Sequence, residues 1–229
     1  MKVADKKEFF LGLGLLFAFF VVLALIFSPI FKGQNGLDYL DGLYNSISKG
    51  SAYYIPKLKD EVAGYSGKSI SLSLEMGNEQ QAAQTAKLFQ SGSAVVTING
   101  KELNITGDLG GILQNCLIDA DLMYNNSGSQ VSEKYGYDER RVLYNWWMAA
   151  KEMDKLLTKQ ELFKEAKIVN TVNQKAVETA YNYYKIKSEK ISDKYGIVIF
   201  SLVFYVVYTL WYGFAILFMF EGWGLKLEH

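Results

Sequence analysis

Two stretches of this chain contain no charged residue and little that is polar: Phe9 to Phe31, 23 residues, and Gly196 to Phe220, 25 residues. At a helical rise of about 1.5 Å per residue each run reaches roughly 35 Å, and a bilayer core is about 30 Å thick. A core helix of a water-soluble protein is rarely apolar on every side over such a length. The sequence therefore predicts two transmembrane helices, 9–31 and 196–220, on either side of a long segment, 32–195. The first run exceeds the roughly 7–15 apolar residues of a secretory signal and has no small-x-small cleavage site near Ser28-Pro29. It reads as a retained anchor.

Orientation follows from the flanks. Lys2, Lys6 and Lys7 outnumber Asp5 and Glu8 before the first run, and Lys226 follows the second. The positive-inside rule then puts both termini, 1–8 and 221–229, in the cytoplasm and 32–195 outside. The expected location is the cell (inner) membrane of a bacterium or archaeon, with the outer domain periplasmic in a Gram-negative host. Leu227-Glu228-His229 reads as the remnant of an expression tag and is set aside. The tag holds the chain's one histidine, so the expectation is no His-based triad, no His-ligated haem and few routes to zinc. With ends as short as these, no enzymatic or signalling domain is expected on the cytoplasmic side unless the chain is part of a longer one.

Lys+Arg and Asp+Glu both number 24, and half the residues are hydrophobic. Zero net charge removes the electrostatic footprint of a nucleic-acid binder. The apolar content excludes a disordered chain.

The outer segment predicts an α+β domain, mostly helical. Leu37, Leu40, Leu43, Tyr44 and Ile47 recur at helical spacing just after the first run. That helix either lies at the membrane interface, with Tyr53 and Tyr54 at headgroup level, or packs under the domain. Pro56 opens a second short helix with Leu58, Val62 and Tyr65 on one face. Ser69 to Met76 alternates strictly, which predicts a half-buried strand. Asn78 to Gln90 reads as a helix with Ala82, Ala83, Ala86 and Phe89 inward. Asn99-Gly100 between two alternating runs predicts a hairpin whose two central residues have positive φ. Asp108 is placed to cap a helix with Leu109, Ile112, Leu113, Cys116, Leu117 and Ala120 inward. These pieces predict a small three-stranded sheet covered by helices.

From Asp138 the pattern is helical, with Val142, Trp146, Ala149 or Ala150, Met153 and Leu157 in one stripe. Thr158-Lys-Gln-Glu161 fits a capping box for the next helix. Beyond it, Leu162, Ala166, Val169, Val172 or Asn173, Ala176, Ala180 and Tyr184 keep helical steps with no Pro or Gly before Gly196. The prediction is a long helical stalk that can run on into the second span and pairs with the helix from Asp138 as a hairpin, which is either the monomer's own core or a subunit contact.

No constellation for chemistry is readable. Cys116 stands alone on an inward face and reads as a small buried hydrophobe. Asp38 and Asp41 share a helix face, and Asp119 and Asp121 do not; neither pair completes a cation site. Gly107-Asp-Leu-Gly-Gly111 lacks the Lys-Ser/Thr of a phosphate loop. No cofactor, metal or catalytic residue is expected. Asn104-Ile-Thr and Asn125-Asn-Ser match the glycosylation sequon, a short pattern that also arises by chance. The candidate recognition surface is Arg140, Arg141, Tyr144, Trp146 and Trp147. Adjacent helical residues lie about 100° apart, so one tryptophan can face a ligand while the other faces the core; both can also be core.

The runs themselves carry a second set. Ser201, Tyr205, Tyr208, Thr209 and Tyr212 form a polar stripe, and Gly14 with Ala18, like Ala24 with Ser28, gives small-xxx-small. Hydroxyls facing lipid lack partners, so the stripe is expected to face another helix or a watery path. The chain is thus expected to be a non-enzymatic membrane protein whose partners are lipids and either further copies or another membrane protein. Two alternatives stand beside this. One is a homo-oligomeric pore: two spans, a large outer domain and short ends resemble the plan of trimeric ligand-gated and acid-sensing channels, whose outer domains are disulfide-rich while this chain has one Cys. The other is an extracytoplasmic sensor acting through a partner.

Overall fold

The structure is a computed structural model and describes residues 3–31 and 33–225. Lys2, Lys32, Lys226 and the tag-like end lie outside the described residues. The chain forms two compact units, Met1–Ile47 with Ser188–His229, and Ser48–Lys187.

In the first unit, α1 (Lys6–Phe27) opens on Asp5, whose side chain accepts from the backbone N–H groups of Lys7 and Glu8 at 2.8 and 3.2 Å. It closes at Ser28, where ψ is 145°, because the residue before a proline is pushed out of the helical region. The helix thus stops short of the predicted Phe31. α10 (Ile191–Gly222) begins five residues before the predicted start, and Gly196 lies inside it. Both helices are long and apolar enough to cross a membrane. They pack antiparallel. A Cβ on Gly12 would lie 2.6 Å from the Met219 nitrogen and 2.7 Å from the Ala215 oxygen, so only glycine lets the two backbones approach this closely. Phe19 stacks on Tyr208 with centroids 4.3 Å apart. Trp211 Nε1 donates to the Leu15 carbonyl at 3.1 Å. α2 (Gly36–Ser51) starts in this unit, with Asn35 Oδ1 accepting from Asp38 N.

The second unit holds a three-stranded antiparallel sheet in the order β1-β3-β2, from β1 (Ser69–Glu75), β2 (Val95–Asn99) and β3 (Glu102–Asp108). β1 and β2 both pair antiparallel to β3, so they run parallel to each other and are joined by a helix, α4 (Glu79–Ser91), rather than a turn. The alternation read from sequence holds on β1: Ile70, Leu72, Leu74 and the following Met76 are buried. On α4, Asn78 caps by accepting from Gln81 N at 2.8 Å. Ala82, Ala86 and Phe89 point inward, but Ala83 is exposed and Leu88 takes its place. The hairpin is shifted by one residue. Asn99 pairs with Glu102, leaving Gly100 and Lys101 in the turn, and only Gly100 has positive φ, at 60°. That is the type II′ arrangement, with glycine first, rather than two positive-φ residues.

α3 (Ile55–Ala63) and α5 (Leu109–Tyr124) pack together. Asp108 caps α5 by accepting from Gly111 N at 2.8 Å, and every predicted inward residue of α5 is buried. α6 (Gly128–Tyr135), which the sequence pattern does not mark, precedes α7 (Glu139–Lys159). Asp138 caps α7 through Arg141 N at 2.9 Å. Thr158 is not a cap: α7 runs through it, and Glu161 turns the chain with φ 61°. α8 (Phe163–Val172), a π-helical turn (Asn173–Glu178) and α9 (Thr179–Tyr183) then fold back against α7 and α5. The stripe Ala166, Val169, Val172, Ala176 and Ala180 fills the domain core. The segment thus pairs with α7 as expected, within the domain core, but it does not run on into the second span: its helix ends at Tyr184, where ψ is 134°.

One buried lysine ties the domain's two ends together. Lys49 Nζ donates to the carbonyls of Ile186 (2.7 Å) and Tyr183 (3.1 Å) and to Asn126 Oδ1 (3.2 Å). Burial without a carboxylate partner pulls its pKa below the usual 10.5.

Candidate functional site

α7 turns one face to the core and a neighbouring one to the π-helical turn. Trp146, on the first, is 2% exposed and donates through Nε1 to Asp119 Oδ2 at 2.8 Å. Asp119 is wholly buried and also accepts from Tyr135 OH (2.6 Å) and Lys134 Nζ (2.8 Å). Burial and the Asp119 carboxylate raise the Tyr135 phenol strongly. The network is satisfied and closed, so it fixes α7 in place rather than serving a ligand. Trp146 is accordingly a core residue and leaves the predicted recognition surface.

Trp147, on the second face, is half-buried. Its Nε1 donates to Glu178 Oε1 at 2.8 Å. Glu178 ends the π-helical turn, whose extra residue rotates the next helix, α9, by roughly 100° relative to a regular continuation. Between Trp147 and Glu178 opens a groove of about 400 Å³. Leu143 and Val177, both buried, line its inner part; Tyr144 and Tyr181, 37% and 43% exposed, and Asn182 complete the lining. The Tyr144 and Trp147 rings are 5.9 Å apart at 34°. Lys151 Nζ sits 4.1 Å from the Trp147 ring centroid, and the Arg141 guanidinium 5.0 Å from that of Tyr144. Arg141 is anchored by its Nε–H to Gln84 Oε1 at 3.3 Å. Arg140 points elsewhere, over the Tyr184 ring at 5.6 Å.

Of the five residues expected to form a recognition surface, Tyr144 and Trp147 line the groove and Arg141 flanks it. Val177, Glu178, Tyr181 and Asn182 join from the segment whose spacing predicts a stalk and no site residue. Tyr181 and Asn182 fall beside the inward position Ala180, so a helical wheel marks them as outward, but nothing in the wheel tells which outward residues meet α7.

The polar stripe on α10 is not one surface. Ser201 meets Tyr44, hydroxyl to hydroxyl, at 2.7 Å, and Tyr208 OH donates to the Phe19 carbonyl at 2.9 Å. Thr209 donates to the Tyr205 carbonyl of its own helix at 2.8 Å. These three find partners inside the chain. Tyr205 is 70% exposed, and Tyr212, packed beside Phe19, is 43% exposed. Ser28 likewise donates to the Ala24 carbonyl. Gly14 is not the close contact between α1 and α10: a Cβ there would meet nothing within 4 Å, and Gly12 makes the contact instead. Ala18 is half-buried.

Cys116 is buried, and burial raises its thiol well above the usual value. Among the described residues no group of three or more His, Cys, Asp or Glu is placed to hold a metal ion. Compared with protein-family models, curated proteins and solved structures, the chain has no match. Architecture alone therefore defines its class: a helix-rich α+β domain in one chain with two helices long enough and apolar enough to span a membrane.

Proposed function

We propose that this is a non-enzymatic integral membrane protein. It is anchored by α1 and α10 with both termini in the cytoplasm. Through those helices it joins further copies or a membrane partner, and it presents its outer domain for binding. One observation carries the assembly reading. Phe10, Gly14, Phe17 and Val21 share a face of α1, and that face is unpartnered; Phe10 and Phe17 are 63% and 71% exposed. The Gly14 gap between two phenylalanines is the shape that lets a second helix approach closely. Native mass measurement in detergent or nanodiscs tests it. A single closed stoichiometry of two or more, shifted toward monomer by Gly14→Leu, is the expected result. A monomer in every mild detergent overturns self-association and sends the search to a heterologous partner. Topology is tested separately: a cysteine at exposed Val95 should react with an impermeant reagent from outside the cell only.

The exposed Tyr205 favours a second reading, in which copies assemble around a path lined by Tyr205 and Tyr212. Conductance in planar bilayers, altered by Tyr205→Phe, would support it.

A further inference from the structure

The groove on α7 has a chemistry of its own. Its lining holds the rings of Tyr144, Trp147 and Tyr181, its inner part is aliphatic, and its one charged lining group is Glu178. That carboxylate is half-buried and forms no salt bridge among the described residues. One oxygen is held by the Trp147 N–H; the other carries no hydrogen bond in the structure. Aromatic faces carry negative quadrupole potential, and a carboxylate beside them adds a full negative charge. Among the lining residues an anion meets a carboxylate and aromatic faces, while the two flanking cations, Lys151 and Arg141, are set over the Trp147 and Tyr144 rings. The Trp147 N–H is already spent on Glu178, and the remaining donors among the lining side chains are phenolic hydroxyls and the Asn182 amide. The chain supplies an internal example of the favoured partner: the Lys151 ammonium rests 4.1 Å from the Trp147 centroid.

We propose that the groove binds an organic ammonium ion, a primary or quaternary amine carried on a short apolar body. The charged nitrogen lies among Tyr144, Trp147 and Glu178, and the alkyl part lies on Leu143 and Val177. This assignment rests on the reading of the domain as a binding module and names its ligand class. Lys151 and Arg141 play the part of resident competitors, because their charges repel an incoming cation and they hold ring surface on Trp147 and Tyr144 that the ligand would use.

The test uses the full-length protein in a non-ionic detergent, titrated by calorimetry with tetramethylammonium, butylammonium and, as the opposite charge, butyrate. Saturable binding of either ammonium probe, and none of butyrate, is expected. Glu178→Gln keeps an oxygen for the Trp147 N–H and should weaken ammonium binding about tenfold. Tyr144→Ala should weaken it by a similar factor, and Lys151→Met should strengthen it. Unchanged affinity in Glu178→Gln, tighter butyrate than ammonium, or no saturable binding of any probe overturns the proposal. Native mass recorded on the same samples separates the two readings. Failure of ammonium binding leaves the stoichiometry standing, and a monomer that still binds ammonium removes only self-association.

Discussion

Phe17 on α1 leaves 71% of its surface open, while Phe89 in the domain leaves none. Both are large aromatic side chains on regular helices. In the domain the apolar positions turn inward and Ser71, Ser73, Asn104 and Thr106 turn out. In the helix pair the order is reversed. Between α1 and α10 lie Gly12, Ala215, Trp211 and the stacked rings of Phe19 and Tyr208, while Phe10, Phe17, Phe20, Leu25 and Val206 face outward. The domain is held by removing apolar surface from water. The pair is joined by close backbone approach and by hydrogen bonds to carbonyls, the contacts on which the proposed membrane anchor would rely.

The largest test of this contrast is a matched truncation. Trp146→Ala removes a fully buried ring and leaves Asp119 without one of its donors, and should destabilise the domain by about 3–5 kcal/mol in urea unfolding. Phe17→Ala, measured in detergent, should change the unfolding midpoint hardly at all; a comparable loss at both sites would erase the distinction. Next in size is a pair of glycines. Gly12→Leu drives a side chain into the α10 backbone and should cost about 1–3 kcal/mol of thermal resistance in detergent. Gly14→Leu, with open space around it, should leave that resistance unchanged and alter only the oligomer mass.

The third test is acid. Glu139 is held below its ordinary value of 4.5, first by a backbone N–H and then by the Tyr184 hydroxyl; Glu165 is held below it chiefly by Lys68. A carboxylate with a depressed folded pKa contributes stability above its unfolded pKa and loses it as pH falls through the folded one. Domain stability should therefore decline below pH 4.5, and Glu139→Gln should flatten part of the decline in a pH series of urea midpoints. The helix pair, joined through Gly12, Phe19, Tyr208 and Trp211 rather than through carboxylates, should not decline with it. The smallest expected effect is at Cys116. Cys116→Ala should cost about 1 kcal/mol, and the native thiol should resist labelling until the domain unfolds.

Much of the domain is legible in the sequence because its signals are local. Strict alternation marks β1, and Asn78, Asp108 and Asp138 mark three helix starts by the hydrogen bonds their side chains can make. The features that escape such reading depend on partners distant in sequence. Gly14, with Ala18 four residues on, looks like the close contact in the first run, and only the phase of α10 shows that Gly12 makes it. The stalk looks continuous because nothing between Leu162 and Tyr195 breaks a helix by composition. The chain nonetheless leaves the helix at Tyr184, held there by Lys49 and Asn126, whose partners come from far along the chain. The groove is half legible for the same reason: Tyr144 and Trp147 lie on one helix, whereas Glu178 reaches them only through a π-helical turn.

The Lys49 tie has a consequence for how such a chain can be assembled in evolution or at the bench. Lys49, at the start of the domain, holds residues 183–186 at its end, and just beyond, Glu189 N donates to the Ser46 carbonyl at 3.1 Å. A module whose ends meet can be inserted into a helical hairpin, or cut from it, without stretching the host. Residues 48–187 are in this sense a cassette, exchangeable for another domain with equally close ends, while the hairpin that carries it keeps its own contacts.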